Sequence, residues 1–345
     1  MLSKSTGQIY RIILRLPLPL RWDPWDGADA WVDVVPENQN IVFHCPPKVT
    51  DLIMPQPKLI IHGGAGSALE GESSLEKVRG SLQQVVESTY ELLLAGQSAE
   101  AAVMHACQLL EDDPLYNAGT GSVLQSDGQI RMSAALMNGA TQSFSGVINV
   151  SRVQHPILMA QALQSSPDRV VAEQGAAELA RELKLPVYDP ATLKRVQEWV
   201  QLRQTHPPTR VLTALAMGTV GAVALDQQGQ ICAGTSTGGR GFERVGRVSD
   251  SATPAGTYAS AAAGVSCTGV GEDILDESLA ARIVIRVEDG LSLKAAMAKS
   301  FQEARQRRRS FGAIALSRSG EIAWDTTTDL LLAAYHDGQG IGLTI

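Results

Sequence analysis

Apolar and polar stretches alternate from Lys58 onward in a way that predicts a regular succession of strands and helices. The short apolar run Leu59–Ile61 predicts a buried strand, which leads into a glycine-rich stretch at 62–66. Apolar residues then recur at helical spacing over 78–93, and a second helical pattern follows the capping candidate Ser98. Two helices are therefore expected to cover this strand.

The middle of the chain continues the succession and ends in a polar stretch. Strands are predicted at Gln129–Met137 and Gly146–Val150. Helices are predicted to begin at Pro156 and at Pro167, because proline suits the first turn of a helix. The polar residues at 189–209 are predicted to form a linker.

The last part of the chain predicts two hairpins with helices between them. The predicted elements are strands Val220–Leu225 and Ile231–Thr235, helices Ile274–Val287 and Leu293–Arg305, and strands Ala313–Leu316 and Ile322–Trp324. This order favours an α+β fold in which helix layers cover antiparallel sheets. No βαβ repeat demands a parallel sheet.

Residues 1–53 differ from the rest of the chain. They contain three of the five tryptophans and six of the sixteen prolines, without a sustained helical or strand period. This segment is expected to be an appendage, either a real tail or the product of an upstream start codon. The second interpretation is favoured because Met54 stands just before the first well-defined strand.

Composition and charge restrict the classes of function. A net charge of −7 argues against nucleic-acid and peripheral-membrane binding, and no run of 18 apolar residues predicts a membrane span. The expected partner is a small molecule. The four cysteines are Cys45, Cys107, Cys232 and Cys267. Because they lie far apart, they indicate neither a disulfide framework nor a zinc site, and a reducing cytoplasm is expected.

The most informative segment for chemistry is 217–226, where Thr219 stands between a polar linker and an apolar strand. A β-branched residue that simply opens a strand is the ordinary interpretation. Alternatively, cleavage of the Gly218–Thr219 bond would expose a threonine whose hydroxyl attacks an amide. Its own α-amine, with an ordinary pKa of about 7.7 to 8.0, would then serve as the base.

Six segments in order resemble one family. They are 61–66 (IHGGAG), 114–119 (PLYNAG), 218–226 (GTVGAVALD), 235–239 (TSTGG), 246–251 (GRVSDS) and 265–272 (VSCTGVGE). Together they resemble the isoaspartyl peptidase and plant-type L-asparaginase family, which consists of N-terminal-nucleophile hydrolases. The resemblance covers the chain from about Pro57 to the C-terminus.

The resemblance implies a role for each site residue. Thr219 would be the nucleophile after cleavage from Gly218, and Thr237 would hydrogen-bond the new terminus. Thr268 and Gly269 would form the oxyanion hole. The implied substrate-binding residues are Arg247 for the α-carboxylate, Asp250 for the α-ammonium group, and Gly239, Gly271 and Asn117 nearby. Without the resemblance, Arg247 and Asp250 would be read as a surface ion pair.

The resemblance also implies a fold and an assembly. The fold would be a four-layer αββα sandwich, with residues 54–218 as the α subunit, including the linker 189–218, and 219–345 as the β subunit. Two such αβ units would associate. No cofactor would be required, although backbone carbonyls of the loop Leu110–Asn117 could hold a structural monovalent cation. The substrates would be L-asparagine and β-aspartyl dipeptides.

Two departures and two alternatives remain open at this point. Ser249 stands where the family more often has glycine, and residues 240–244 (RGFER) replace the usual loop at the rim of the pocket. Residues 234–238 (GTSTG) also match the nucleophile elbow of serine α/β-hydrolases, with Ser236 as the nucleophile and His336 as the base. An unprocessed relative that only binds its ligand is the other alternative. His62 is expected to be structural.

Overall fold

The computed structural model describes residues 55–66, 72–205 and 218–345, together with the backbone of three short strands nearer the N-terminus. The chain divides into two units, Met1–Ile53 and Met54–Ile345. The described elements of the first unit are strands β1 (Arg11–Ile12), β2 (Trp31–Val34) and β3 (Ile41–His44), which form an antiparallel sheet in that order. Strands of two to four residues are too short to show a period in the sequence.

The second unit contains an eight-stranded sheet. In spatial order its strands are β15 (Ile341–Leu343), β14 (Leu330–His336), β4 (Lys58–Gly66), β8 (Val220–Leu225), β9 (Ile231–Thr237), β5 (Met132–Asn138), β6 (Ser143–Val150) and β7 (Val170–Ala172). All neighbouring pairs are antiparallel except β6 and β7, which are parallel. The expectation of purely antiparallel sheets is therefore wrong at this edge.

A second sheet has four antiparallel strands. In spatial order they are β10 (Thr257–Ala259), β11 (Ala263–Gly269), β12 (Phe311–Ser317) and β13 (Ile322–Thr326). The helices are α1 (Glu72–Leu94), α2 (Ala99–Asp112), α3 (Pro156–Ala162), α4 (Glu173–Glu182), α5 (Leu193–Thr205), α6 (Gly271–Glu277), α7 (Leu279–Glu288) and α8 (Leu293–Gln306). No helix in the described ranges is long and apolar enough to cross a membrane.

The apolar residues of β4 show how the layers pack. Leu59 and Ile61 face a core shared with helices α1 and α2, whereas Ile60 faces a core shared with Ile314 on the other sheet. Successive strand residues point to opposite faces, so one continuous apolar run buries both faces of the sheet. Helices α7 and α8 cover the outer face of the four-stranded sheet around Phe301. The mixed α+β class predicted from the sequence is confirmed.

Three predicted elements need correction. No helix begins at Pro167, because the chain forms the exposed edge strand β7 before helix α4 begins at Glu173. The predicted linker at 189–218 contains helix α5, and its residues 206–217 lie outside the described part of the chain. The single helix predicted over Ile274–Val287 is two helices, since Ser278 adopts a left-handed conformation (φ 47°) that ends α6.

Candidate active site

Thr219 and Thr237 lie side by side because of the register between β8 and β9. These antiparallel strands pair Val220 with Ser236. Thr219, just before Val220, therefore lies opposite Thr237, just after Ser236. The Oγ1 atoms of Thr219 and Thr237 are 2.9 Å apart, within hydrogen-bonding distance. The structure thus places the predicted nucleophile beside the residue expected to hydrogen-bond its new N-terminus.

Gly218 is held in a conformation that favours glycine. Its φ is 136°, and its carbonyl oxygen accepts a hydrogen bond of 2.9 Å from the backbone N–H of Asn117. A Cβ atom added to Gly218 would stand 2.5 Å from that same nitrogen. The carbonyl of the predicted scissile bond is therefore polarised by a donor that approaches closely only because position 218 has no side chain.

Asn117 connects the first half of the chain to this site. Its side-chain Nδ2 donates to the Gly239 carbonyl at 2.7 Å, and its Oδ1 accepts from the Val123 backbone N–H at 2.9 Å. The Gly239 N–H donates in turn to Thr237 Oγ1 at 3.1 Å. Asn117 is 1% exposed, so these contacts form in the interior, where a lost hydrogen bond is costly.

Thr268 and Gly269 approach Thr219 from the other sheet. They end strand β11 and share a small cavity of about 50 Å³ with Gly218, Thr219 and Gly239. The two residues implied as an oxyanion hole therefore line the same cavity as the predicted nucleophile. Such donors stabilise negative charge that develops on an attacked carbonyl oxygen.

Arg247 does not form the surface ion pair with Asp250 that the sequence alone would favour. Its Nε and Nη2 donate to the two carboxylate oxygens of Glu272 at 2.9 and 3.2 Å, and only 12% of its side chain is exposed. Glu272 also forms an ion pair with Arg240, whose Nη1 lies 3.2 Å from Glu272 Oε2. Glu272 ends the motif at 265–272, but no local pattern indicates that it pairs with Arg247, because the two residues lie 25 positions apart.

Asp250 is a buried carboxylate with spare hydrogen-bonding capacity. Its Oδ2 is buried and lacks a hydrogen-bond partner among the described residues. Burial raises the pKa of Asp250 to about 6, against the opposing effects of the Arg247 charge and the Ser249 hydroxyl. Ser249 Oγ lies 3.2 Å from Asp250 Oδ1, which gives the unexpected serine a local role.

Gly271 leaves room for the side chains of Arg247 and Asp250. A Cβ atom at this position would stand 2.5 Å from Arg247 Nη2 and 2.6 Å from Asp250 Oδ1. The absence of a side chain at Gly271 therefore allows the Arg247 guanidinium and the Asp250 carboxylate to approach each other. A pair of opposite charges in this arrangement fits the carboxylate and ammonium groups of an amino acid.

A buried acidic network behind Thr237 was not found from the sequence. Glu111, at the end of α2, accepts from Ser236 Oγ at 2.6 Å and from the Ile157 N–H at 3.2 Å, and its Oε2 lies 3.3 Å from His155 Nδ1. Burial raises the pKa of Glu111, although His155 and Ser236 oppose this effect. The network fixes the residue next to Thr237, and no local sequence signal indicates that these three elements meet.

The serine α/β-hydrolase alternative does not fit this geometry. Ser236 lies inside strand β9, is fully buried and donates to Glu111, whereas a nucleophile elbow requires an exposed turn followed by a helix. His336 stacks on Tyr90 and lies on β14, three strands away from β9 in the sheet. Three strand spacings are about 14 Å, too far for a catalytic pair.

His62 stays neutral in the interior. Burial lowers its pKa to about 3, although the nearby Thr219 backbone carbonyl acts in the opposite direction. Its Nε2 contacts Ser266 Oγ at 2.8 Å, which begins a chain of hydroxyl contacts through Thr235 and Thr257. This arrangement supports the structural interpretation of His62, because the ring links the two sheets.

Fold and site together define a hydrolase class with a threonine at the start of a buried strand. The family model for asparaginase matches residues 55–345, and the chain belongs to this asparaginase family. It is 59% identical to an isoaspartyl peptidase/L-asparaginase of a Nostoc species over 84% of this chain and 95% of that protein. The resemblance predicted from the six sequence motifs is confirmed.

Other relatives have the same or a related description. An isoaspartyl peptidase/L-asparaginase of a Synechocystis species is 58% identical over 84% of this chain and 90% of that protein. A plant-type L-asparaginase of Pyrococcus abyssi is 35% identical over 80% of this chain and 95% of that protein. The similarity thus extends across nearly the whole length of these relatives.

Proposed function

We propose that this chain is a self-cleaving hydrolase that cuts itself between Gly218 and Thr219 and then hydrolyses L-asparagine and β-aspartyl dipeptides. The observation that carries the proposal is the position of Thr219 in a cavity with Thr268 and Gly269, its hydroxyl 2.9 Å from that of Thr237. The descriptions of the relatives support the same activity.

The first step is intramolecular. The Thr219 hydroxyl attacks the Gly218 carbonyl carbon, the C–N bond breaks, and the Thr219 nitrogen takes up the proton as an ester forms. Water then hydrolyses this ester and leaves Gly218 with a carboxylate and Thr219 with a free amine. The Asn117 N–H supports this step, because it already donates to the oxygen on which negative charge develops.

In the second step, the freed amine of Thr219 accepts the proton as its hydroxyl attacks the substrate amide. The Thr268 hydroxyl and the Gly269 N–H receive the developing oxyanion. The substrate C–N bond then breaks, the leaving nitrogen takes the proton, and a β-aspartyl ester forms on Thr219, which water hydrolyses to release aspartate. Arg247 would bind the substrate α-carboxylate. Asp250 would bind the α-ammonium group, and its buried Oδ2 without a hydrogen-bond partner among the described residues supports this role.

Finer features of the family are also part of the proposal. The two sheets with their outer helices would form the αββα sandwich of N-terminal-nucleophile hydrolases, and two αβ units would associate. Sedimentation analysis of the cleaved protein tests this association, and a species of one αβ unit would contradict it.

The buried free thiols Cys107, Cys232 and Cys267 support a cytoplasmic location, which subcellular fractionation tests.

The loop Leu110–Asn117 is a candidate site for a monovalent cation bound by carbonyl groups. The carbonyl oxygens of Pro114 and Tyr116 converge, each 2.9 Å from the point where a Cβ on Gly121 would stand. Within the described ranges, no group of three or more His, Cys, Asp or Glu side chains could hold a metal ion. A higher melting temperature in potassium or sodium than in tetramethylammonium salts would support this site, and equal values would contradict it.

The decisive experiment follows maturation on a denaturing gel. The purified protein should yield two fragments, the smaller beginning Thr-Val-Gly-Ala, at a rate independent of protein concentration. Thr219→Ala should remain one inactive chain, whereas Thr219→Ser should cleave slowly because it retains a hydroxyl nucleophile. Full amidase activity from a wild-type chain that stays uncut would refute the proposal, since an internal threonine offers no amine. Activity lost in Ser236→Ala but kept in Thr219→Ala would restore the serine hydrolase alternative.

A further inference from the structure

A second, larger cavity adjoins the candidate active site. It lies between helix α5 and the loop after β9, and it has a volume of about 430 Å³. Its apolar walls include Val123, Leu124, Trp199, Leu202 and Phe242. This volume is within the range of roughly 300 to 1,000 Å³ typical of small-molecule sites, and apolar walls with a few polar groups are typical as well.

The residues that line the two cavities are consecutive in the chain at 239–242. Gly239 lines the cavity of Thr219, Arg240 lines both cavities, and Gly241 and Phe242 line the larger one. Because an extended chain advances about 3.5 Å per residue, the two walls lie within about 10 Å of each other. Asn117 links them as well, since its side chain binds both the Gly239 carbonyl and the N–H of Val123 in the larger cavity.

Arg240 provides a positive charge at the junction. Its guanidinium is 3.2 Å from Glu272 through Nη1, while its Nε is buried and lacks a hydrogen-bond partner among the described residues. The guanidinium fork has donors for more than one carboxylate. Arg240 can therefore bind an anionic group that enters between the cavities while it keeps its contact with Glu272.

Hydrogen bonds anchor the two aromatic residues in the wall of the larger cavity. The Trp199 indole N–H donates to the Gln125 carbonyl at 2.9 Å, and the Phe242 backbone N–H donates to the Leu124 carbonyl at 2.8 Å. The two ring centroids are 6.2 Å apart. Binding an apolar group here would require little reorganisation of these walls, which favours affinity.

We propose that this cavity receives the side chain of the amino acid released from a β-aspartyl dipeptide, while Arg240 binds its α-carboxylate. When Thr219 forms its ester bond, the substrate C–N bond breaks and the leaving nitrogen takes the proton, so a complete amino acid departs on this side. Asparagine releases only ammonia and leaves the cavity unused. The proposal rests on the function proposed above and adds a preference for dipeptides with an aromatic or large apolar second residue.

Three substrates separate the contributions of the subsite in the cleaved enzyme. Asparagine has no leaving residue, β-aspartyl-glycine supplies the carboxylate alone, and β-aspartyl-phenylalanine supplies the carboxylate and an aromatic ring. Full burial of such a ring strengthens binding by roughly ten- to hundredfold. The value of kcat/KM should therefore be at least about tenfold higher for the phenylalanine dipeptide than for the glycine dipeptide.

Matched variants test each wall. Leu202→Trp fills the apolar cavity and should abolish the preference for phenylalanine over glycine, whereas Leu193→Trp, an exposed position on the same helix, should retain it. Arg240→Gln should lower kcat/KM for both dipeptides at least about tenfold relative to asparagine. Arg244→Gln removes an exposed charge from the same loop and should leave these ratios unchanged.

The outcomes distinguish the two proposals. Equal efficiency of the wild-type enzyme on the two dipeptides, or a phenylalanine preference that survives in a folded Leu202→Trp variant, would overturn the subsite. Failure of the cleaved enzyme to hydrolyse any of the three substrates would refute the proposed function instead. In that case calorimetry with free L-phenylalanine and glycine decides the subsite, since phenylalanine should bind more tightly and lose this advantage in Leu202→Trp.

Discussion

Replacing Gly218 with alanine tests whether the structure around the predicted scissile bond prepares it for cleavage. The added Cβ would stand 2.5 Å from the Asn117 backbone nitrogen and 3.1 Å from the Asn117 Cβ. Relief of this overlap requires the backbone to move away from Asn117. The 2.9 Å hydrogen bond from the Asn117 N–H to the Gly218 carbonyl would then be lost or lengthened.

The magnitude of the effect has two parts. Holding alanine at a φ of 136° costs about 1 to 3 kcal/mol of folding free energy. Removing one donor from a developing oxyanion typically reduces a rate by about 10² to 10³. We therefore expect Gly218→Ala to cleave itself at least about 10² times more slowly than the wild-type chain, beyond any loss of stability.

The assay is a time course of the fresh precursor on a denaturing gel, with the melting temperature measured in parallel. Gly290→Ala is the matched control, because Gly290 also has a positive φ (101°) but a Cβ there meets nothing within 4 Å. It should lose stability and still cleave normally. A folded Gly218→Ala precursor that cleaves at close to the wild-type rate would refute the assignment of the Asn117 N–H as a donor to the cleavage oxyanion.

Three further predictions concern the extension and the head-group residues. A chain started at Met54 should fold, cleave itself and turn over substrate as the full chain does, and an insoluble or uncut product would contradict this. Arg247→Lys keeps the charge but loses the two-pronged guanidinium contact with a carboxylate. The kcat/KM on a β-aspartyl dipeptide should therefore fall at least about tenfold, or about 1.4 kcal/mol, with self-cleavage retained. Near-normal efficiency would exclude the assigned carboxylate site. Because the pKa of Asp250 is raised to about 6, its carboxylate is charged above this pH and kcat/KM for asparagine should fall as pH drops through 6; an equal fall with succinamate, which lacks the α-amine, would contradict the assignment.

The strongest local patterns predict the correct elements. Strand β8 matches its predicted bounds at Val220–Leu225, and helix α3 begins at Pro156 as expected. In both cases the signal is local, since a continuous apolar run or a proline at a first turn depends only on neighbouring residues. Glycines near the site are also informative, because Gly218 and Gly271 stand where another chain segment approaches too closely for a side chain.

Helix α5 shows where local reasoning fails. Only Arg195 in this helix is buried, so its apolar residues do not form the stripe by which a covered helix is recognised. Arg195 and Trp199 instead hold the helix in place through hydrogen bonds to the carbonyls of Gly121 and Gln125. These partners lie 74 positions earlier, so the polar residues at 189–209 carry no local sign of the helix.

The mixed α+β class and the family follow from the amino-acid sequence alone, because they depend on residue types at short and ordered spacing, and the family resemblance implies the candidate nucleophile. The groups that surround Thr219 are known only from the tertiary structure. It placed the Asn117 N–H on the Gly218 carbonyl, Glu272 between Arg240 and Arg247, and a cavity beside the candidate active site. Such contacts join segments far apart in the chain, and the packing of the two sheets and their helices, rather than any local pattern, brings them together.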